Sequence, residues 1–396
     1  MSETIVRLAA RGDGVSNRGR FFAGTAPGDT IGPDDRIEAG PHRVIPPCRH
    51  FALPPAHGCG GCQLQHIDGE SYARFVVDRI CRPLAEQRID PPPFAPVHLS
   101  PPNTRRRASL RAERRGKQVA LGFNEAASHR IIDLRECHVL LPELVVLIAP
   151  LRRLLASIMP DKGRGAVTLT RADQGVDVLI SGFEIEGLSA IEALNDFASG
   201  QGLARLSVDE GLGPSPRWCP APPTITLGGV AVGLPEGSFL QATADGEAAL
   251  VAAVRTAVGD VKSGVDLFTG LGTFALTVKG VTKAIEGSRD AALALLATRH
   301  VAVDHRDLFR RPLAVEELAC HDAVILDPPR AGAREQVAEL ARSSVPRIAY
   351  VSCNPATFAR DARTLIDGGY RLEGITPVGQ FRWSTHVELA AAFARQ

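Results

Sequence analysis

The chain has 396 residues, which at roughly 100–200 residues per domain predicts two or three domains. Hydrophobic residues make up 44% of it, enough for a full core, so disorder and a disulfide-dependent mini-protein are excluded. A formal charge of +1, from 45 basic against 44 acidic residues, excludes a uniformly basic nucleic-acid coat but leaves room for local basic patches. Only Lys117, Lys162, Lys262, Lys279 and Lys283 are lysines, so arginine dominates the basic residues. Arginine suits bidentate phosphate and base contacts, although a GC-rich genome produces the same bias.

No run reaches the roughly 18 apolar residues of a membrane span, and Met1 to Gly12 carries no signal-peptide core. A cytoplasmic protein is expected, in which Cys48, Cys59, Cys62, Cys81, Cys137, Cys219, Cys320 and Cys353 serve as metal ligands, a nucleophile and buried thiols rather than disulfides.

Residues 5–38 alternate short apolar stretches with Gly12, Gly14, Gly19, Gly24 and Gly28, the punctuation of a small all-β unit. A cysteine-rich segment follows Pro46-Pro47. Phe75, Val76, Ile80 and Leu84 then fall at helical spacing within residues 71–88. Residues 104–235 read as α+β, with β-like runs at 167–170 and 176–180 and a helix near 143–157, and a proline-rich break at 214–223 ends them. From 236 onward Ala-rich helical windows (246–258, 288–299, 333–343) alternate with the apolar runs 265–268, 323–326 and 348–351. That alternation predicts a doubly wound, mostly parallel sheet, with ligands beyond the carboxyl ends of its strands. The expected domains are therefore 1–45, 46–235 and 236–396.

Asp266-Leu-Phe-Thr-Gly-Leu-Gly-Thr-Phe-Ala reads as a strand, a Gly-rich turn and an apolar helix. Gly270 and Gly272 would let the backbone approach a ligand. The run is neither GxGxxG nor a P-loop, so phosphate cradling has little support. Glu286 ends a second short apolar run, where an acidic residue ordinarily accepts ribose hydroxyls. Asp307 follows a third, placed for an adenine amino group. Each feature alone fits an ordinary turn. In order, at strand ends, they suggest an adenosine ligand without phosphates, better matched by S-adenosylmethionine than by NAD.

Asp327-Pro-Pro-Arg330 follows the run 323–326, and two prolines fix a rigid exit from the sheet. Amino-group methyltransferases carry an aromatic residue after such a motif, where this chain has Arg330. Cys353-Asn-Pro355 ends the next strand, with Pro355 as first residue of a helix over 356–367. A thiol beside a helix N-terminus has its thiolate favoured, as a nucleophile requires; a buried strand-closing cysteine is the alternative. Glu388 lies in a late strand, facing either solvent or the site.

Together, Asp266-Leu-Phe-x-Gly-x-Gly-Thr-Phe274, Asp327-Pro-Pro-Arg-x-Gly332, Ser352-Cys-Asn-Pro-Ala-Thr-x-x-Arg-Asp361 and His386-Val-Glu388 resemble, in order, the motifs of the RNA uridine-C5 methyltransferase family. Phe239-Leu-Gln241 resembles its Phe-x-Gln, whose glutamine contacts S-adenosylmethionine. Cys48, Cys59-Gly-Gly-Cys62 and Cys137 resemble the [4Fe-4S] segment of the ribosomal-RNA branch, with a longer spacer, residues 49–58, between the first two cysteines. Gly12-Asp-Gly14 through Pro27-Gly-Asp29 resembles the start of a TRAM domain, shortened over 35–44. The resemblance implies a class I (Rossmann-like) S-adenosylmethionine methyltransferase domain, a central α+β iron–sulfur region and a short N-terminal OB-like unit. It assigns Gln241, Phe268, Gly270, Thr273, Glu286, Asp307 and Asp327 to the cosubstrate, and Cys48, Cys59, Cys62 and Cys137 to the cluster. Zinc is the alternative for four cysteines, although a second CxxC is missing.

The implied reaction is methylation of uracil C5. That carbon is a poor nucleophile until the Cys353 thiolate adds to C6 and leaves enolate character at C5. After methyl transfer the C5 proton must leave, with Glu388 as base. The base must leave its stack at a cost of a few kcal/mol, less in a loop, so structured RNA is the expected partner, 23S rRNA ahead of tRNA. Residues 105–117, the densest basic run, are expected to contact phosphate, or else to form a solvated hairpin. A monomer is expected. The alternatives are a tRNA uridine-C5 methyltransferase, an amino-group methyltransferase using Asp327, and a non-catalytic RNA-binding factor.

Overall fold

A computed structural model describes residues 2–54 and 56–396. Met1, with which the first expected domain opens, lies outside the described residues. The chain divides into two compact units: residues 1–75, 101–223 and 381–385 form the first, and residues 76–100, 224–380 and 386–396 the second. This partition is interleaved along the chain, unlike the linear one expected from sequence.

The first unit holds two sheets. Its N-terminal sheet has five antiparallel strands, with Glu3–Leu8 between Gly14–Ser16 and Thr30–Ile31. This is the small all-β unit predicted from glycine punctuation. Asp29 organises it, accepting from Ala26 N at 2.7 Å and Gly40 N at 2.8 Å and pairing with Arg43 at 2.5 Å. The second sheet has six strands. Leu110, Val167, Leu169, Val178, Ile180 and Leu206 from them bury against the helices Ile148–Ile158 and Leu188–Gly200. The basic run lies in the hairpin of Arg107–Arg115 with Gln118–Gly122, as one of its two readings expected. Pro214–Trp218, read from its prolines as a break, is instead the edge strand of this sheet, the position where a residue without an N–H costs no ladder bond.

The second unit carries the larger sheet. We label its strands β1 (Gly264–Leu267), β2 (Val281–Glu286), β3 (Ala302–His305), β4 (Ala323–Leu326), β5 (Arg347–Ser352), β6 (Tyr370–Gly379) and β7 (Glu388–Arg395). Their order is β3-β2-β1-β4-β5-β7-β6, with His98–Leu99 added at the β6 edge. Strands β1 to β5 are parallel, while β7 runs antiparallel to both β5 and β6. The helices α1 (Ala244–Val258), α2 (Arg289–Ala297), α3 (Arg334–Arg342) and α4 (Pro355–Asp367) cover the sheet. Their boundaries match the sequence windows within two residues. Leu250, Val254 and Val258 of α1 pack against Ile325, Ala349 and Val351, which makes the core of this unit.

One expectation fails here. The apolar helix predicted after the Gly-rich turn is a succession of turns from Gly270 to Gly280. Gly272 at φ 95° breaks the helical ladder, and the buried Asp266 carboxylate takes Ala275 N as its own donor at 2.9 Å. No helix among the described residues is long and apolar enough to cross a membrane.

Candidate active site and cysteine cluster

The sheet changes winding direction between β1 and β4, and a cavity of about 530 Å³ opens there at the carboxyl ends of the parallel strands. Gln241, Phe268, Gly270, Thr273, Glu286, Asp307, Asp327, Cys353 and Glu388 all line it. Residues as far apart in number as Gln241 and Glu388 are thus neighbours on the wall of one cavity.

One half of the cavity is built by backbone turns. Phe268 adopts φ 61° and Gly270 φ 58°. A side chain at Gly270 would meet nothing within 4 Å, whereas one at Gly272 would strike Leu295 at 2.6 Å. The two glycines expected to share a role therefore divide it: Gly270 borders open space, and Gly272 permits close packing on α2. Glu286 accepts from Gly270 N at 2.7 Å and Ser288 N at 2.6 Å, so its carboxylate is fixed at the cavity rim. Phe309, which the sequence did not single out, lies tilted against Phe268, with ring centroids 5.4 Å apart and planes at 53°. The two rings give this wall an aromatic face beside Glu286 and Asp307, suited to contact a flat heteroaromatic group.

The other half is carboxylate-rich and buried. Asp327 follows β4 and receives Gln241 Nε2 at 3.1 Å. Glu388 opens β7 and is 2% exposed, so the solvent-facing alternative is wrong. A sheet covered on both faces buries even the first residue of this strand. Burial, and then the Asp327 charge, push the Glu388 carboxyl up to about 8; burial pushes Asp327 up to about 7. Ser352 pairs with Leu389, and the next position along that register sets Cys353 opposite Glu388.

The helix after Cys353 begins as predicted. Pro355 is its first residue, and Asn354 caps it by accepting from Ala356 N at 3.2 Å. Asn354 Nδ2 also donates to Arg330 O at 2.9 Å, which ties the Asp-Pro-Pro-Arg loop to the cysteine loop. The expected electrostatic outcome is reversed, however. Burial, with Glu388 and Asp327 adding to it, drives the Cys353 thiol up to about 11, and Arg330 only partly opposes this. A helix terminus contributes a fraction of a charge, and two nearby carboxylates with desolvation outweigh it.

In the first unit, Cys48, Cys59, Cys62 and Cys137 are free and half-buried. Each of Cys59 and Cys62 feels the charge of Cys48 and Cys137, and burial raises the first two to about 11 and about 12. Added side chains at Gly58 and Gly60 would strike backbone at 2.5 Å and 2.9 Å, so the Cys-Gly-Gly-Cys turn is closely wrapped. Half-buried Arg105 lies near Cys137 and Cys62, and stacks over Phe381 at 5.2 Å. Among the described residues no three His, Cys, Asp or Glu side chains form a ligand set for a single metal ion. Cys81 is half-buried, and Cys219 and Cys320 are exposed, all three as free thiols.

A parallel sheet with an antiparallel β7 beside β5 and a cavity at its switch point lined by four carboxylates defines a nucleotide-type α/β enzyme, and comparison with known proteins specifies it. Residues 298–396 match the family model of tRNA (uracil-5-)-methyltransferases. An uncharacterized RNA methyltransferase of Zymomonas mobilis is 47% identical over 99% of both chains. The 23S rRNA (uracil(1939)-C(5))-methyltransferase RlmD of Halomonas elongata is 33% identical over 89% of this chain and 77% of its own. In fold, the chain is similar to the tRNA (uracil-54, C5)-methyltransferase of Pyrococcus abyssi solved with S-adenosyl-L-homocysteine, with a TM-score of 0.75 at 22% identity over 100% and 99% of the two chains. The chain belongs to the S-adenosylmethionine-dependent RNA (uracil-5-)-methyltransferase family. It is an enzyme that methylates RNA, which sets aside the amino-group and non-catalytic alternatives.

Proposed function

We propose that this enzyme methylates C5 of a uridine in structured 23S rRNA through a covalent Cys353–C6 adduct, with Glu388 as base. The observation that carries this reading is the juxtaposition of Cys353 and Glu388 across one strand register beside Asp327, on the wall of a single cavity. Bound S-adenosylmethionine supplies the methyl group and a sulfonium charge. Gln241, Phe268, Gly270, Thr273, Glu286, Asp307 and Asp327 are the residues that would hold it, Glu286 at the ribose hydroxyls and Asp307 at the adenine amino group.

The chain's own residues then act in sequence. Cys353, protonated in the ligand-free protein, gives its proton to water as the sulfonium charge of the bound cosubstrate offsets Asp327 and Glu388, and its sulfur bonds to C6 of the flipped uracil. The C5=C6 electron pair moves toward the O4 enolate, and C5 takes the methyl group as the S–CH₃ bond of S-adenosylmethionine breaks, its electron pair remaining on the departing S-adenosylhomocysteine. Glu388 removes the C5 hydrogen as a proton, the double bond re-forms, and the C6–S bond breaks to return the thiolate. A carboxyl near 8 is matched to that proton transfer at neutral pH.

The ribosomal substrate rests on the Halomonas relative; the archaeal neighbour in fold acts on tRNA, which is the second reading. An OB-like N-terminal part, a cytoplasmic location and a monomeric state belong to the same proposal. Cys48, Cys59, Cys62 and Cys137 fit a [4Fe-4S] cluster in their wrapped turn, their mutual electrostatic influence and the adjoining Arg105 cation, which offsets thiolate charge. The cluster would fasten distant chain segments and takes no part in the steps above.

Glu388→Gln should accumulate a denaturation-stable RNA–protein adduct on a gel and Cys353→Ala should not; adduct in Cys353→Ala sinks the covalent route. Mapping 5-methyluridine in rRNA and tRNA from a strain lacking the gene identifies the substrate. Anaerobically purified protein should be brown, with equal iron and acid-labile sulfide; colourless protein with stoichiometric zinc overturns the cluster.

A further inference from the structure

The motif that begins at Ser352 closes on Arg360-Asp361, and the reaction gives neither residue a part. Asp361 lies on α4, 1% exposed, and is not one of the residues lining the cavity. Its carboxylate accepts four hydrogen bonds, Oδ2 from Ala333 N at 2.8 Å and the Tyr350 hydroxyl at 2.7 Å, Oδ1 from Arg360 Nε at 2.8 Å and Nη2 at 2.7 Å. Burial, and then the Asp361 charge, hold the Tyr350 phenol well above its ordinary value, so its oxygen keeps the proton that it donates. The donors come from separate elements. Tyr350 belongs to β5, the strand that leads to Cys353, and Arg360 to α4 itself. Ala333 ends the loop that starts at Asp327-Pro-Pro-Arg330, and it opens α3 with no side chain to cap it.

The start of α4 holds the rest of that loop. Asn354 Nδ2 donates to Arg330 O at 2.9 Å and Arg360 Nη2 to Ala331 O at 3.1 Å, while Gly332 N donates to Pro329 O at 2.8 Å. Gly332, at φ 80°, lets the helix come this close, since a Cβ there would lie 2.6 Å from both Asp361 Oδ2 and Arg360 Nη2. Asp327 is fixed separately, its N–H donating to Leu267 O of β1 at 3.3 Å. What the α4 contacts set is therefore Arg330. Its exposed side chain is on the cavity wall, and its charge favours the Cys353 thiolate against burial and the charges of Glu388 and Asp327. We propose that Asp361 is a positioning residue for methyl transfer, tying β5, α4 and the loop after β4 together so that the Arg330 cation stays near the nucleophile. A carboxylate suits this task because it takes several donors at once in charge-assisted bonds. The inference rests on the reading of Cys353 as nucleophile.

Single-turnover methyl transfer, to whichever of a 23S rRNA and a tRNA transcript the parent methylates, and calorimetric titration with S-adenosylmethionine make the test. Asp361→Asn puts a donor where only donors converge. Tyr350→Phe removes the tie to β5 alone and carries the test if Asp361→Asn does not fold. Tyr370→Phe is the control, because its hydroxyl, also buried, donates to Val345 O at 2.7 Å in the same unit and away from the loop. Tyr350→Phe should slow transfer about tenfold or more, with cosubstrate affinity within about twofold of the parent's, while Tyr370→Phe keeps the parental rate. In an Arg330→Ala background, itself slow, adding Tyr350→Phe should change the rate by less than about twofold, because both changes act through one group. A parental rate in Tyr350→Phe overturns the proposal, as do effects of Tyr350→Phe and Arg330→Ala that multiply. Equal slowing in Tyr370→Phe overturns it too, since any lost buried hydroxyl would then do the same. Cys353→Ala measured beside them separates the reading beneath: turnover retained there fails the nucleophile, whereas turnover lost there with multiplying effects fails only the role of Asp361.

Discussion

Glu388 should make this protein less stable as pH rises, and its removal should reverse that. An ordinary glutamic carboxyl titrates near 4.5, and in the fold Glu388 is raised to about 8. Below 4.5 it is protonated folded or unfolded and makes no difference. As pH climbs, the unfolded chain releases this proton while the folded chain keeps it, so folding loses stability up to the folded value. At 1.36 kcal/mol per pH unit the ceiling is about 5 kcal/mol, reached by pH 8. Relaxation and water entry reduce such penalties, so about 2–3 kcal/mol is the working expectation. Glu388→Gln keeps shape without the charge. Its melting temperature should equal the parent's at pH 5 and exceed it by about 5–10 °C at pH 8.5, taking 2–4 °C per kcal/mol for a unit of this size. Differential scanning calorimetry of both proteins across this range makes the test. An offset that stays constant from pH 5 to pH 8.5 would refute a buried, proton-holding Glu388.

Three further outcomes are expected. Cys353→Ala should bind S-adenosylmethionine with parental affinity in calorimetry while turnover falls by at least about a thousandfold in a radiolabelled methyl-transfer assay. Arg205 and Asp177 form a doubly hydrogen-bonded pair, 5% and 6% exposed, with contacts of 2.9 Å and 2.8 Å. Arg205→Met alone should cost about 3–5 kcal/mol in urea unfolding by stranding a buried carboxylate, and adding Asp177→Leu should restore most of it. Gly272→Ala should destabilise by about 2 kcal/mol or more, because φ 95° and Leu295 at 2.6 Å both oppose a side chain, while Gly270→Ala, in open space, should cost about half as much and act chiefly on cosubstrate affinity.

The second unit was readable because its strands end where polar residues begin: Asp266, Glu286, Asp327 and Cys353 each punctuate an apolar run, and parallel sheets gather such ends. Pro355 also announced the start of α4 from local chemistry alone. What escaped the sequence depends on neighbours remote in the chain. The burial of Glu388 requires a sheet covered on both faces. The thiol of Cys353 required setting burial and two carboxylates against one helix end, and local reasoning weighed only the helix. The turns after Gly270 arise because Asp266 captures Ala275 N, a contact that periodicity cannot express. Pro214 and Pro216 signalled a break correctly for a central strand and wrongly for an edge one.

The pairing of Ser352 with Leu389 is the last rung of the ladder between two interior strands of an eight-stranded sheet. Interior ladders of this kind exchange their amide hydrogens only when a whole cooperative block opens. Cys353 and Glu388 are each one residue beyond that rung, so they are attached to the slowest-breathing part of the sheet rather than to a closing flap. The reacting pair therefore stays assembled between turnovers, and the rearrangement needed to begin one falls to the RNA, which must bring its unstacked base to a waiting site.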